Sequence, residues 1–167
     1  ADTATLIMIG NAGPAMWKAF SAAMPDGPHP LDRWTRQVLE PIATALKAQV
    51  VFPFSGPPYF PFQRWAMRAD SVSPSPTGPL IHPEYGLWHA YRGALLFAEH
   101  LDIPASAATV SPCDLCPDKP CLHTCPVSAF SAGSYDVAGC REHIAGPPGS
   151  DCLGFGCQAR RACPVGR

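Results

Sequence analysis

Thiols carry most of the reactive chemistry available to this chain, and their placement is uneven. None occurs before residue 113; then come Cys113, Cys116, Cys121, Cys125, Cys140, Cys152, Cys157 and Cys163. The first four form Cys-x2-Cys-x4-Cys-x3-Cys followed by Pro126, and the last four form Cys-x11-Cys-x4-Cys-x5-Cys followed by Pro164. Two halves that each close on Cys-Pro match a pair of 4Fe-4S cubanes in which the proline-flanked cysteine of each half crosses to the other half's cluster. By that rule Cys113, Cys116, Cys121 and Cys163 hold one cluster and Cys125, Cys140, Cys152 and Cys157 the other, with no thiol left over. Short loops bring backbone amides towards the sulfurs, which stabilises the charge added on reduction. Gly133, Gly139, Gly146, Gly149, Gly154 and Gly156 ease that close approach. The expected work is electron transfer.

Two other uses of eight cysteines compete. A disulfide scaffold needs an oxidising compartment. Ala1 to Gly10 has neither the basic segment nor the longer apolar run of a signal peptide, so the chain is expected to be cytoplasmic. Two four-thiolate zinc sites, with His123 and His143 as further donors, call for tighter knuckles than Cys152-x4-Cys157 and Cys157-x5-Cys163, and have no use for proline after the last ligand. A zinc-stabilised interaction module therefore stands as an alternative, as does a ferredoxin-like electron carrier with no further cofactor.

The rest of the chain must position this module. With 167 residues, 47% of them hydrophobic, it can bury one main core and carry a small appendage. A net charge of -1 and a charged fraction of 15% leave no basic field for phosphates, so no nucleic-acid partner is expected. No run approaches the roughly 20 apolar residues that cross a bilayer, so no membrane partner is expected either. The 4 Trp, 8 Phe and 4 Tyr beside so little charge point to a cofactor cleft or an interface.

Thr5 to Ile9 reads as a buried strand ended by Gly10-Asn11-Ala12-Gly13, and Pro14 starts a helix over Ala15 to Ala23. An apolar strand so near the first residue is expected of a chain with more residues ahead of it. Leu31, Trp34, Val38, Ile42, Ala45 and Leu46 recur at helical spacing, with a kink expected at Pro41. Val50 to Phe52 is a second buried strand, Pro53 to Pro61 a stiff loop, and Phe62 to Ala69 a short helix. Ser71 to Pro79 is a Pro/Ser connector, and Tyr91 to Phe97 fits a strand or a helix. The expected domains are 1–108 and 109–167, an α/β or α+β layer followed by a loop-rich ferredoxin-like module.

The cysteine module resembles the double-cluster region of epoxyqueuosine reductases and, more loosely, of reductive dehalogenases, both corrinoid enzymes. The run from Leu80 to Leu96, with His82-Pro83, Tyr85-Gly86 and Trp88 followed by Arg92, is similar to a motif beside the corrin in those reductases and in cobalamin-processing chaperones. Thr5 to Trp17 and His29 to Arg33 are similar to the chaperones' first core strand, its turn and the segment after it. The resemblance implies a nitroreductase-like first domain and two 4Fe-4S clusters feeding electrons to a cobalamin. A groove containing His82, Tyr85, Trp88 and Arg92 would hold the ring, and a redox protein would be the electron donor. It implies no queuosine activity: Ser55-Gly56-Pro57-Pro58-Tyr59 has no acid where those reductases carry a catalytic aspartate, and lacks the histidine of the chaperones.

Overall fold

The computed structural model describes residues 2–104, 109–131 and 133–166. Its elements are β1 (Thr5–Ala12), α1 (Ala15–Ala22), α2 (Pro30–Ala45), β2 (Gln49–Val51), α3 (Phe62–Ala69), β3 (Ser73–Pro74), β4 (Leu80–Ile81), β5 (His89–Phe97), β6 (Phe130–Ser131), β7 (Ser134–Tyr135), α4 (Val137–Ala145), α5 (Ser150–Phe155) and α6 (Gln158–Arg161), with 3-10 turns at Pro120–Leu122 and Pro147–Gly149. Helix and sheet are mixed, in keeping with an α+β chain. Two compact units result: Ala1–Ser71 with Trp88–Ala107, and Val72–Leu87 with Ala108–Arg167. The expected boundary at residue 108 lies outside the described residues. Residues 72–87, expected in the first domain, belong to the second unit.

The first unit is built on a three-stranded sheet of order β1-β5-β2 in which β5 is antiparallel to both neighbours. β1 and β2 therefore run parallel, with the returning strand inserted between them, a split crossover. Tyr91 to Phe97 is thus strand, because ladders on both sides satisfy its backbone where a helix would leave β1 and β2 unpaired. β1 runs on through Gly10, Asn11 and Ala12, residues expected to end it, since each pairs with β5.

A bulge sets which side chain faces which way. Ile9 pairs with Gly93 and Gly10 with Tyr91, so Arg92 has no partner across the ladder. An extra residue breaks the twofold alternation of side chains. Tyr91 accordingly joins Ala94 and Leu96 on the face where Leu6, Met8, Val51, Phe62 and Trp65 pack. On that face the Tyr91 hydroxyl donates to Asp70 Oδ2 at 2.9 Å, and burial, reinforced by the Asp70 carboxylate, pushes its pKa up.

Arg92 goes to the opposite face, where Thr35, Leu39 and Ala43 are the buried residues of α2. The stripe expected to face the core is turned outwards: Val38, Ile42 and Leu46 are 38%, 43% and 51% exposed. The cause lies in the sheet. A Cβ on Gly93 would sit 2.6 Å from Leu39 Cδ1, so the bare glycine is what admits Leu39. Thr35 tolerates burial by donating to the Leu31 carbonyl at 2.8 Å. Pro41 lies inside α2 on the exposed side, and Gln37, whose carbonyl loses its helical donor, is exposed too. Phe20 of α1 packs edge-on to Trp34 at 5.7 Å.

In the second unit β3 and β4 form a small hairpin, so the expected Pro/Ser connector is partly strand. Ile81 and Leu87 are 2% and 3% exposed and pack with Cys163, Cys113 and Val165. Gly86 has φ +56°, and a Cβ there would overlap the Val165 carbonyl. Gly166, at φ +76°, meets the Tyr85 carbonyl in the same way. Two glycines thus let the tail after Cys163 lie backbone to backbone against Tyr85-Gly86.

Candidate metal centre

All eight cysteines are free thiols; Cys163 is buried and the other seven are half-buried. They fall into two neighbourhoods. In the first, a tight turn carries Cys113 and Cys116: the Cys116 amide donates to the Cys113 carbonyl at 3.4 Å, and the Cys113 amide to Ser111 Oγ at 3.3 Å. Ser73 Oγ donates to Ser111 Oγ at 2.8 Å, tying this turn to β3. Lys119, in the left-handed conformation, returns its ammonium to the Cys113 carbonyl at 3.0 Å. The 3-10 turn after it carries Cys121.

Cys163 and Cys113 pack against the same pair of side chains, Ile81 and Leu87. Burial raises the pKa of the Cys113 thiol, and the charges of Cys121, Cys163 and Cys116 raise it further, with Lys119 opposing. Burial likewise raises Cys121, followed by Cys163 and Cys116, against the amides of Cys121 and Leu122 that bond its sulfur. Cys163, 38 residues or more beyond every cysteine of the first run, therefore shares the environment of Cys113, Cys116 and Cys121.

The second neighbourhood centres on Tyr135. Its pKa is pushed up to about 12, first by a hydrogen bond with the Cys140 side chain, then by burial, then by the charges of Cys140, Cys157 and Cys125. Cys125 is followed by a turn through Ser128, at φ +49°, and its sulfur accepts the Ala129 amide at 3.4 Å. Cys140 lies in the first turns of α4, which Asp136 caps by accepting the Gly139 amide at 3.0 Å. Cys157 sits between Gly156, at φ +86°, and α6, and its charge opposes the lowering that burial imposes on the Arg160 guanidinium. Cys152 comes from α5, which packs on α4. Arg161 holds α5 to α6 through an ion pair with Asp151 and a bond from its Nε to the Gly156 carbonyl at 3.1 Å.

Among the described residues no three His, Cys, Asp or Glu side chains form a group fitted to one metal ion. Zinc at about 2.3 Å from each sulfur would place its thiolates roughly 3.8 Å apart. Four irons and four sulfides between the ligands would set a wider cage; the Ala129 amide already donates to the Cys125 sulfur, as amides around such a cage do. His123 ends the 3-10 turn, while His143 Nε2, on α4, is buried with no hydrogen-bond partner among the described residues.

The four residues expected to line one corrin groove are divided. His82 and Tyr85 lie in the second unit, Trp88 and Arg92 in the first. His82 stacks on Tyr85 at 4.5 Å, and its Nδ1 accepts the amides of Glu84 and Tyr85 at 3.0 and 3.2 Å, a loop-shaping role. Trp88 is half-buried just before β5. Arg92 Nη2 is paired with Asp32 Oδ1 at 2.5 Å and donates to Thr35 Oγ1 at 3.4 Å. Beside it is a hollow of about 210 Å³ lined by Ile9, Met16, Trp34, Val38 and Leu39, below the roughly 300–1,000 Å³ of sites that enclose a drug-sized ligand.

Reading the sequence missed Ile81 and Leu87 as walls of the first neighbourhood, Ser111 as its anchor and Tyr135 at the second. Tyr135 had one usable signal: it lies five residues before Cys140, just after the turn made by Gly133 at φ +78°. Comparison of the chain with protein-family models, with curated proteins and with solved structures finds no match. Among the described residues no helix is long and apolar enough to cross a membrane.

Proposed function

We propose that this chain is an iron-sulfur electron-transfer protein whose second unit holds two 4Fe-4S clusters, one on Cys113, Cys116, Cys121 and Cys163, the other on Cys125, Cys140, Cys152 and Cys157. The observation that carries the reading is an exchange of partners: Cys163 packs with Cys113 against Ile81 and Leu87 although 50 residues separate them, which supports placing the closing cysteine of the second half with the first. Disulfides or separate zinc knuckles give no reason for that exchange; the crossover of the Cys-Pro ligands does. A 4Fe-4S cluster supplies a one-electron couple, tuned over roughly −700 to +450 mV by charge, hydrogen bonds and exposure. The chain's own part is to hold the thiolates, aim amides at their sulfurs and keep water from the first cage with Ile81 and Leu87. The second unit is then read as ferredoxin-like and the first as nitroreductase-like.

The acceptor in this reading is a corrinoid, supported by the resemblance of residues 80–96. That run serves two ends in the fold: residues 80–87 wall the first cage, and most of the remainder forms β5. Anaerobic reconstitution tests both parts. About eight irons and eight acid-labile sulfides per chain, with a brown colour bleached by dithionite, are expected; bound zinc without sulfide refutes the clusters. Titration of the reduced protein with cob(II)alamin is expected to change the cobalt paramagnetic signal. An unchanged signal leaves an electron carrier without a corrinoid.

A further inference from the structure

The hollow beside Arg92 has two polar atoms in its wall with nothing to bond. Arg92 Nε and Asn11 Oδ1 are both buried without a hydrogen-bond partner among the described residues, and both residues line this same space of about 210 Å³. One atom is a donor and the other an acceptor. The sheet brings them together. Asn11 pairs with Ala90, two residues before Arg92, and the bulge turns Arg92 onto the face that carries Asn11, so the two stand diagonally across one ladder. A buried donor and a buried acceptor left unbonded each cost stability, and an occupant that bonds both recovers it. The rest of the wall is mainly apolar, with Met16, Trp34 and Leu39 inside and Val38, 38% exposed, at the rim.

We propose that this hollow binds a small neutral primary carboxamide, its C=O accepting from Arg92 Nε, its N–H donating to Asn11 Oδ1, and its apolar body lying against Trp34 and Leu39. Charge and hydrogen-bond sense select that class. The Arg92 guanidinium is already countered by Asp32, so a carboxylate gains little there, and it has no hydrogen to give Asn11 Oδ1. An ammonium has no acceptor for Arg92 Nε and meets its positive charge. A hydroxyl carries donor and acceptor on one oxygen, whereas an amide spreads them over two atoms, as partners on neighbouring strands require. The terminal torsion of Asn11 is soft, so Oδ1 reaches the ligand by a small turn. Sites for drug-sized ligands start at roughly 300 Å³, so this one takes a single ring or a short branched chain and excludes a corrin. Asn11, Arg92 and the α2 residues all belong to the first unit, so the site stands independently of the clusters.

The experiment is a magnetic-resonance titration of the full chain with benzamide, following the Arg92 Nε–H signal, which Arg92→Lys identifies by removing it. Benzamide is expected to move that signal and to saturate. Benzoate, benzylamine and toluene keep the ring and are expected to bind about tenfold more weakly. Asn11→Leu keeps the size of the side chain but removes the acceptor, and is expected to bring benzamide down to the affinity of toluene. Should Asn11→Leu not fold, Val38→Trp, a change at the exposed rim, is expected to close the hollow and abolish benzamide binding. No saturable binding of benzamide, equal affinity for benzamide and toluene, or binding that either folded variant leaves unchanged overturns the proposal. A chain that loads iron and sulfide yet binds no benzamide loses this inference alone; one that binds benzamide but takes up no iron loses the electron-transfer reading alone.

Discussion

The two sets of four cysteines proposed to hold clusters stand in different surroundings. The first is closed by a segment remote in sequence: Ile81, Leu87 and Cys163 are 2%, 3% and 6% exposed, and the chain after Cys163 lies against Tyr85-Gly86. The second is made by neighbouring short helices, all four of its cysteines are half-buried, and Leu153 and Phe155 beside Cys152 are 72% and 74% exposed. Burial disfavours the more negative state of a cluster, and sulfur hydrogen bonds favour it. On the proposed reading, the first cluster takes the lower potential and the second, where the Cys125 sulfur accepts the Ala129 amide, the higher one.

The largest effects should come from deleting one ligand on each side of this comparison. Cys163→Ser is expected to halve the iron content and remove the first cage's signal, while Cys157→Ser halves it and removes the second's; resonance with iron analysis reads both. If either variant lost the signal of the wrong set, the crossover assignment would be wrong. A subtler break is Gly86→Val, which places a side chain on the Val165 carbonyl at a left-handed residue. It should destabilise the second unit by roughly 3 kcal/mol and cost iron at the first cage before the second, seen in denaturant unfolding and metal analysis.

Two thiols of the first set also give a gentler, pH-dependent test. Without metal, Cys113 and Cys121 titrate above the ordinary thiol value because they are buried beside other thiols. The unfolded chain therefore loses those protons first as pH rises. The stability they contribute is complete below the ordinary thiol pKa of about 8.5 and is lost as pH climbs through their raised values. Urea midpoints of the metal-free protein should fall above that pH, and less in Cys113→Ser. The smallest expected change is Asp136→Ala, which removes the cap of α4 at a cost of about 1 kcal/mol and loosens the second cage only, measurable as faster iron loss to a chelator.

Some of this was legible residue by residue. Phe62 to Ala69 was readable as a helix because its apolar residues recur at helical spacing between Pro61 and Asp70, and it is the helix observed. The stripe on α2 was misread by one position, because Val38 and Leu39 are equally apolar and only the bare Gly93 on the sheet chooses Leu39. The strand character of β5 was ambiguous for a similar reason: its backbone partners lie some 40 to 90 residues away in sequence. Residues 80–87 carry a motif that resembles a cofactor wall, but Ile81 and Leu87 find their apolar partners at Cys163 and Val165.

The number of thiols, their spacing and the two Cys-Pro endings were set by the order of residues alone, and the proposed division into two fours was read from them. Tertiary structure decided what surrounds them. It decided that Ile81 and Leu87 pack with Cys163, Cys113 and Val165, and that Arg92 is turned onto Asp32 by a bulge. Such contacts join residues far apart in the chain or depend on how a strand and a helix are angled. Neither is encoded in the spacing of any one segment.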